Sequence, residues 1–182
     1  MVLDTYEPRD ATETLDLARV NAAIDAGDPW SRDLPLHVTA SALVVDPARR
    51  RVLLRWHARM ACWLQVGGHG DPGETDPWAI ALREAVEETG LTDLAALTPA
   101  LDRRPVQVVV VPVPAGRGEP AHEHADVRYL LATGHPDAIR AEHNDAVVRW
   151  FTFAESRTEV TEANLLDFLD RAEAGLDTEV LT

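Results

Sequence analysis

One cysteine, Cys62, in 182 residues leaves no disulfide to be made within the chain, which fits a reducing compartment. Long apolar runs are lacking too: no stretch approaches the ~20 residues that a membrane-crossing helix needs, so no membrane partner is expected. The opening MVLDTYEPRD is acidic and has no apolar stretch. Neither a secretory signal nor an Arg-rich transit peptide is expected there, and the cytoplasm is the expected compartment. Basic charge is scarce: 17 Lys and Arg stand against 31 Asp and Glu, a formal net charge of −14. The densest basic clusters, Arg49-Arg50-Arg51 and Arg103-Arg104, are short and adjoin expected turns. A protein that holds long nucleic acid by its phosphates needs a basic stripe, so that partner is excluded. A small anionic ligand fits so acidic a chain only if a divalent cation accompanies it.

What is present describes a globular chain. Hydrophobic residues make up 46% and charged residues 26%, and the length suits one domain, residues 1–182, with a sizeable core. No repeat and no composition break divides it. DATETLDLARVNAAIDAGDP reads as a helix within an N-terminal extension of residues 1–33. Asp10 and Glu13 have capping-box spacing, Gly27 and Pro29 supply the stop, and Leu17, Val20 and Ile24 form a packed stripe. HVTASALVVD and RVLLRW, joined by the turn DPARR, read as a β-hairpin. PVQVVVVPVP reads as a strand that Pro112 and Pro114 confine to an end or an edge. ADVRYLLAT and AVVRWFTF are further strands. TEANLLDFLDRAEAG reads as a closing amphipathic helix with Leu165, Leu169 and Ala172 on one stripe and Gly175 as its stop. Strands mixed with a few helices imply an α/β sandwich.

The segment WLQVGGHGDPGETDPWAIALREAVEETGL carries the chemistry. Asp76 and Pro77 start a helix and Gly90 stops it. Glu84, Glu87 and Glu88 fall at i, i+3 and i+4, on one side of it, with Trp78, Ala79, Leu82, Ala85 and Val86 expected on the core side. Taken alone, such a trio is more often a solvated face than a site. The preceding loop weighs against the solvated face, because Gly67, Gly68, Gly70 and Gly73 crowd four glycines into seven residues. A plain connector needs one or two. Glycines let the backbone approach another group closely and aim carbonyls at a cation, and Mg²⁺ takes hard oxygen ligands of this kind.

GHGDPGETDPWAIALREAVEETGL, residues 68–91, resembles the Nudix box, whose pattern is G-x5-E-x7-R-E-U-x-E-E-x-G-U with U aliphatic. Gly68, Glu74, Arg83, Glu84, Glu87, Glu88, Gly90 and Leu91 fill its fixed positions, and the box covers about an eighth of the chain. There are three departures. Eight residues separate Glu74 from Arg83, Ala85 stands where a larger aliphatic residue is usual, and Val66 replaces a frequent proline. The extra residue falls in TDPW, which leaves the register of REAVEE intact and the role of Glu74 open.

The resemblance implies a Nudix-type α/β/α sandwich with a mixed β-sheet, to which the N-terminal helix is an addition. Dimer contact, lid and plain packing are the roles open to that helix, so a homodimer is a candidate assembly. The resemblance also implies a Mg²⁺-dependent hydrolase, with Mn²⁺ as substitute, acting on the diphosphate linkage of a small nucleoside diphosphate derivative. Glu84, Glu87, Glu88 and the Gly67 carbonyl would hold the metal, and Arg83 would orient the glutamates. Glu74 would brace the loop or reach the metal through water, while Gly68 and His69 would meet the substrate.

The proton acceptor is not fixed by the box. A helix glutamate such as Glu84 or Glu88 is one choice, and EPAHEHADVRY offers Glu119 and Glu123. On a strand, His122, His124 and Asp126 would share one face and Glu123 would take the other. Paired histidines there can bind metal or carry protons, or form an exposed polar loop. His37 reads as structural. Trp30, Trp56, Trp63, Trp150 and Tyr129 could stack on a base, although such residues more often pack in a core. The alternative function is a non-catalytic Nudix-fold sensor of a nucleotide ligand. RNA decapping is disfavoured by the acidic balance. An isoprenoid isomerase is disfavoured by the context of Cys62.

Overall fold

The computed structural model describes Leu3 and residues 5–116 and 118–179. Two long strands of alternating faces, β1 (Leu36–Asp46) and β7 (His122–Ala132), run parallel through its centre, with His37 opposite His124 and Val44 opposite Leu131. β2 (Arg51–His57) folds back antiparallel on β1 through the DPARR turn, as expected, with Val44 opposite Leu53. β8 (Val148–Thr152) extends the sheet beyond β2. Beyond β7 lie β6 (Gln107–Val113) and the two-residue β5 (Ala95–Ala96), both antiparallel to it.

Two short strands inside CWLQVGG escape sequence patterning because three residues are too few to show a period. After Val44 and Leu53 the hairpin forks, and the chain fills the gap. β3 (Cys62–Leu64) pairs with β2 and β4 (Val66–Gly68) pairs with β1, with Gln65 between them. The sheet therefore splits where the glycine-rich loop begins.

Helices cover both faces. α2 (Pro77–Thr89) starts at Asp76, whose side chain accepts from the Trp78 N–H, and stops at Gly90 with φ 70°. It packs over β1 and β4 beside Val38, Ala40, Val66, Val127 and Tyr129. The other face is covered by α4 (Ala163–Glu179), whose Leu165, Phe168, Leu169 and Ala172 meet Leu43, Val45, Val52 and Leu54. Gly175 does not stop this helix. It lies inside it, where a Cβ would come 3.1 Å from the Leu97 side chain, so the glycine serves close packing. A short helix, α3 (Phe153–Glu159), follows β8 and opens with a complete capping box between Thr152 and Glu155. The T-x-x-E signal was there to read, but the apolar run WFTF hid it. This is an α/β/α sandwich around a mixed sheet, with α1 (Ala11–Asp25) added to it.

α1 shields a sheet edge. Asp10 caps it as the spacing predicts, by accepting from the Glu13 N–H. Glu13 does not return the bond to Asp10. It is buried, accepting from the Arg9 N–H at 2.7 Å, the Val108 N–H at 3.1 Å, the Tyr6 hydroxyl and Arg171 at 2.8 Å. Asp16 accepts from the Val110 N–H at 3.0 Å. Two carboxylates of one helix thus satisfy outward N–H groups of β6, which would otherwise be an open edge. Among the described residues, no helix is long and apolar enough to cross a membrane.

Candidate active site

The three glutamates do not form an outer face set against the core. Trp78, Ile80, Ala81, Ala85, Glu88 and Thr89 are buried, Ala79 is exposed, and Leu82 and Val86 are intermediate. The buried arc is therefore rotated from the expected one and takes in a glutamate. Glu88 is 6% exposed, Glu84 is half-buried and Glu87 is exposed.

Two arginines hold them. Arg83 lies 3.1 Å from Glu84 and 3.0 Å from Glu87, bonds both carboxylate oxygens of Glu74 and donates to the His69 carbonyl at 2.9 Å. The extra residue ahead of the helix leaves this contact intact, because the turn Asp71–Glu74 curls Glu74 back. The Glu74 carboxylate accepts from the Asp71 N–H at 2.8 Å, and Glu74 donates its own N–H to the Asp71 carbonyl. Those bonds, with Arg83, keep Glu74 below the usual carboxylate range. Arg55 on β2 is the second arginine, 2.9 Å from Glu88. It was not legible in the sequence, because only the forking of the β1–β2 hairpin brings it under the helix.

The glycines meet the glutamates directly. The Gly67 N–H donates to Glu88 at 3.1 Å, and a Cβ at Gly67 (φ 144°) would fall 2.4 Å from that of Ser41. A Cβ at Gly68 would fall 2.9 Å from the Glu84 carboxyl. Burial raises the pKa of Glu84, against the pull of Arg83, and lifts that of Glu88 to about 7, against Arg55 and the Gly67 N–H. Six carboxylates, Asp71, Glu74, Glu84, Glu87, Glu88 and Glu142, lie within 4.0 Å of two guanidinium groups. With all six ionised, negative charge exceeds positive by four.

Gly67 and Gly68 line a cavity of about 910 Å³ whose floor is the polar end of β1 and β7. On one face of β1, His37, Thr39 and Ser41 are polar, and Leu43 and Val45 are apolar beneath α4. β7 follows the same plan on that face, from His122, His124, Asp126 and Arg128 to Leu130. Asp126 accepts from Thr39 at 3.1 Å, Ser41 at 2.8 Å, Gln65 at 3.2 Å and Arg128 at 2.7 Å. Gln65 Oε1 is the buried side-chain oxygen left without a partner among the described residues, and Gln65 lines the cavity. Thr39, Ser41 and Gln65 went unnoticed in the sequence. The signal was a polar alternation on a strand otherwise rich in Val and Leu.

The expected site residues divide into two groups. Glu74, Arg83, Glu84, Glu87, Glu88, Gly67, Gly68 and His69 come together. Glu123 does not: it lies on the other face of β7 and pairs with Arg19 of α1 at 2.5 Å. Glu119 does line the cavity. His37 is no isolated strand-start residue. It is buried among His69, His122 and His124, with ring centroids 5.0 to 5.1 Å away. Burial, reinforced by His124, lowers His69 to about 3, and burial with His37 lowers His124 to about 4. Among the described residues, no tryptophan and no tyrosine lines this cavity. Trp78 packs edge-on against the buried Tyr129 at 5.2 Å, and Trp63 packs against Phe151.

A family model for the NUDIX domain matches residues 35–171. Among solved structures, the chain is similar to the C. elegans Ap4A hydrolase in a binary complex, at 20% identity, covering 78% of this chain and 98% of that one, with a TM-score of 0.60. It is similar to a NUDIX-family hydrolase from Clostridium perfringens at 24% identity, covering 79% and 97%, with a TM-score of 0.55. The E. coli dihydroneopterin triphosphate pyrophosphohydrolase is similar at 17% identity, covering 76% and 94%, with a TM-score of 0.55. At these identities the likeness concerns the fold. No curated protein sequence matches the chain.

Proposed function

The chain belongs to the Nudix hydrolase family, matched over residues 35–171, and on that premise we propose that it is a Mg²⁺-dependent pyrophosphatase of a small nucleoside diphosphate derivative. The observation that carries this reading is the packing of Glu84 and Glu88 against Gly68 and Gly67 at the edge of the cavity. The donor set suits a hard divalent cation: carboxylate oxygens with an excess of negative charge around Arg55 and Arg83. Glu84, Glu87, Glu88 and the Gly67 carbonyl would hold Mg²⁺, with Mn²⁺ as substitute. The bound metal would neutralise the diphosphate and activate a water.

The chain's own residues supply the rest. Arg83 positions Glu74, Glu84 and Glu87 and ties them to the loop through the His69 carbonyl. Gly68 lets the substrate approach the backbone. Arg32, Arg55 and Arg59 line the cavity and give it cations for phosphate oxygens, which the net charge of the whole chain conceals. Gln65 Oε1 can accept from an N–H of a nucleobase. Since Glu123 is engaged by Arg19, the later-loop proton acceptor passes to Glu119, with Glu88 as the helix candidate.

A hydrolysis panel with products weighed by mass spectrometry tests this. It would cover ADP-ribose, nucleotide sugars, dinucleoside polyphosphates, NADH, coenzyme A and nucleoside triphosphates, with and without Mg²⁺. Metal-dependent release of a mononucleotide, lost in Glu84→Gln, is expected. Ligand binding with no turnover of any compound would replace the hydrolase by the sensor.

A further inference from the structure

Four imidazoles converge at the end of the cavity away from α4, and three strands or loops supply them. His37 comes from β1, His122 and His124 from β7, and His69 from the loop after β4. One ring nitrogen each of His37, His122 and His124 lies within 4.8 Å of the others.

The hydrogen bonds fix the tautomers. His37 Nδ1 is 3.0 Å from the Leu34 carbonyl and His122 Nδ1 is 2.9 Å from the Pro120 carbonyl. A carbonyl only accepts, so both Nδ1 atoms carry the proton and both Nε2 atoms present a lone pair. His37 Nε2 lies 3.0 Å from His69 Nε2, and His122 Nε2 lies 3.1 Å from His124 Nε2. In each contact the second ring is therefore the N–H donor. Backbone carbonyls that orient Nδ1–H and leave Nε2 bare are the usual supports of a metal-binding histidine. A network built only for packing needs no such arrangement in two of its four rings.

We propose that His37, His122 and His124 form a site for a borderline-soft divalent cation of the Zn²⁺ class, separate from the carboxylate site. Two ligands are already in the binding tautomer. His124 joins when its Nε2 proton moves to Nδ1, so the ring stays neutral and the proton count is unchanged. Three imidazoles leave a fourth position, which His69 can reach or which stays open to the cavity. The donor sets separate the two cations: imidazole nitrogen favours Zn²⁺, and carboxylate oxygen favours Mg²⁺. Arg32 beside the cluster opposes a cation, and Glu119 at the same end offsets it. The inference does not depend on the hydrolase reading, because its test measures metal and not turnover.

Chelator-treated protein would be titrated with Co²⁺, followed by its visible d–d absorption, and with Zn²⁺ by calorimetry. One equivalent is expected, retained in Glu84→Gln/Glu87→Gln and undisturbed by millimolar Mg²⁺. In His122→Ala/His124→Ala the affinity should fall by more than the ~10–100-fold that losing a supporting hydrogen bond costs. Long-range ¹H–¹⁵N spectra of the unmutated protein give a readout free of any folding defect. Zn²⁺ should shift the imidazole nitrogens of His37, His122 and His124 and spare His143. Binding that survives the histidine variant, or is lost in the glutamate variant, would overturn the proposal, as would histidine spectra that Zn²⁺ leaves unchanged.

Discussion

Gly67 and Gly68 are neighbours whose missing side chains serve different ends. At Gly67 the backbone is at φ 144°, and an added Cβ would strike the Cβ and backbone of Ser41 on the adjacent strand. At Gly68 the backbone is ordinary, and a Cβ would meet only the end of the Glu84 side chain. The two alanine variants should therefore separate folding from chemistry. Gly67→Ala is expected to lose at least the ~1–3 kcal/mol of a strained backbone position, seen as a lower urea midpoint. Gly68→Ala should unfold at nearly the unmutated midpoint, because a flexible carboxylate can swing aside. Its turnover should fall on the order of 10²-fold, the cost of misplacing a catalytic group by about an ångström. Equal stability losses in both would show that the second glycine also serves the fold. At this scale the sequence was most legible where the chemistry is local. Glu84, Glu87, Glu88 and Arg83 lie within two turns of one helix, and spacing alone aligned them. Arg55, Gln65 and His37 were not legible, because pairing between distant strands brings them to the cavity.

An element can also be misread while its ends are read correctly. The spacing of Asp10 and Glu13 predicted the start of α1, yet Glu13 turned out to bind β6, Tyr6 and Arg171, which no local pattern encodes. Burial raises the Glu13 pKa, but the bonds from Arg171, Tyr6, Arg9 and Val108 outweigh it and hold the carboxyl below its ordinary value. A carboxyl depressed on folding contributes stability above its unfolded pKa, near 4.5, and that contribution is lost as pH falls through the folded value. α1 should therefore loosen in acid before the sheet does. Glu13→Ala should cost about 1–3 kcal/mol at neutral pH, since the buried Val108 N–H loses its acceptor, while Arg171 keeps Asp167 at 2.7 Å. That variant should also lack the part of the acid slope that Glu13 supplies, as followed by urea unfolding between neutral pH and pH 3. Amide exchange at Val108 should quicken in it, and exchange at Val127 on the inner strand should not. If both amides respond alike, α1 stabilises the whole sheet and is not specifically the cover of its edge. β3 and β4 were illegible for another reason: they are defined by the fork they fill and not by any period of their own.

At the scale of the molecule, charge and architecture explain each other. A net charge of −14 repels anionic substrate and strains the compact state by self-repulsion, yet the cavity lining does not share that excess. Arg32, Arg55, Arg59 and Arg128 line it against Asp33, Glu119, Asp126 and Glu162, while the excess carboxylates stand just behind Gly67 and Gly68. The composition foretold that a cation would be needed but could not say where, because the place depends on a forked sheet. Binding of metal to that place should stabilise the folded chain beyond any screening effect. At about 100 times its dissociation constant, Mg²⁺ is expected to add about 2.7 kcal/mol, which for a chain of this size raises Tm by roughly 5–10 °C. Sodium chloride at equal ionic strength screens the same surface charges without filling the site, so it should produce only part of that rise. The difference between the two salts is the quantity to measure, in the unmutated protein and in Glu84→Gln. It should vanish in the variant, because one negative charge and one ligand are gone. A difference that survives would move the stabilising cation to the acidic surface at large, and the carboxylates behind the two glycines would lose their claim to it.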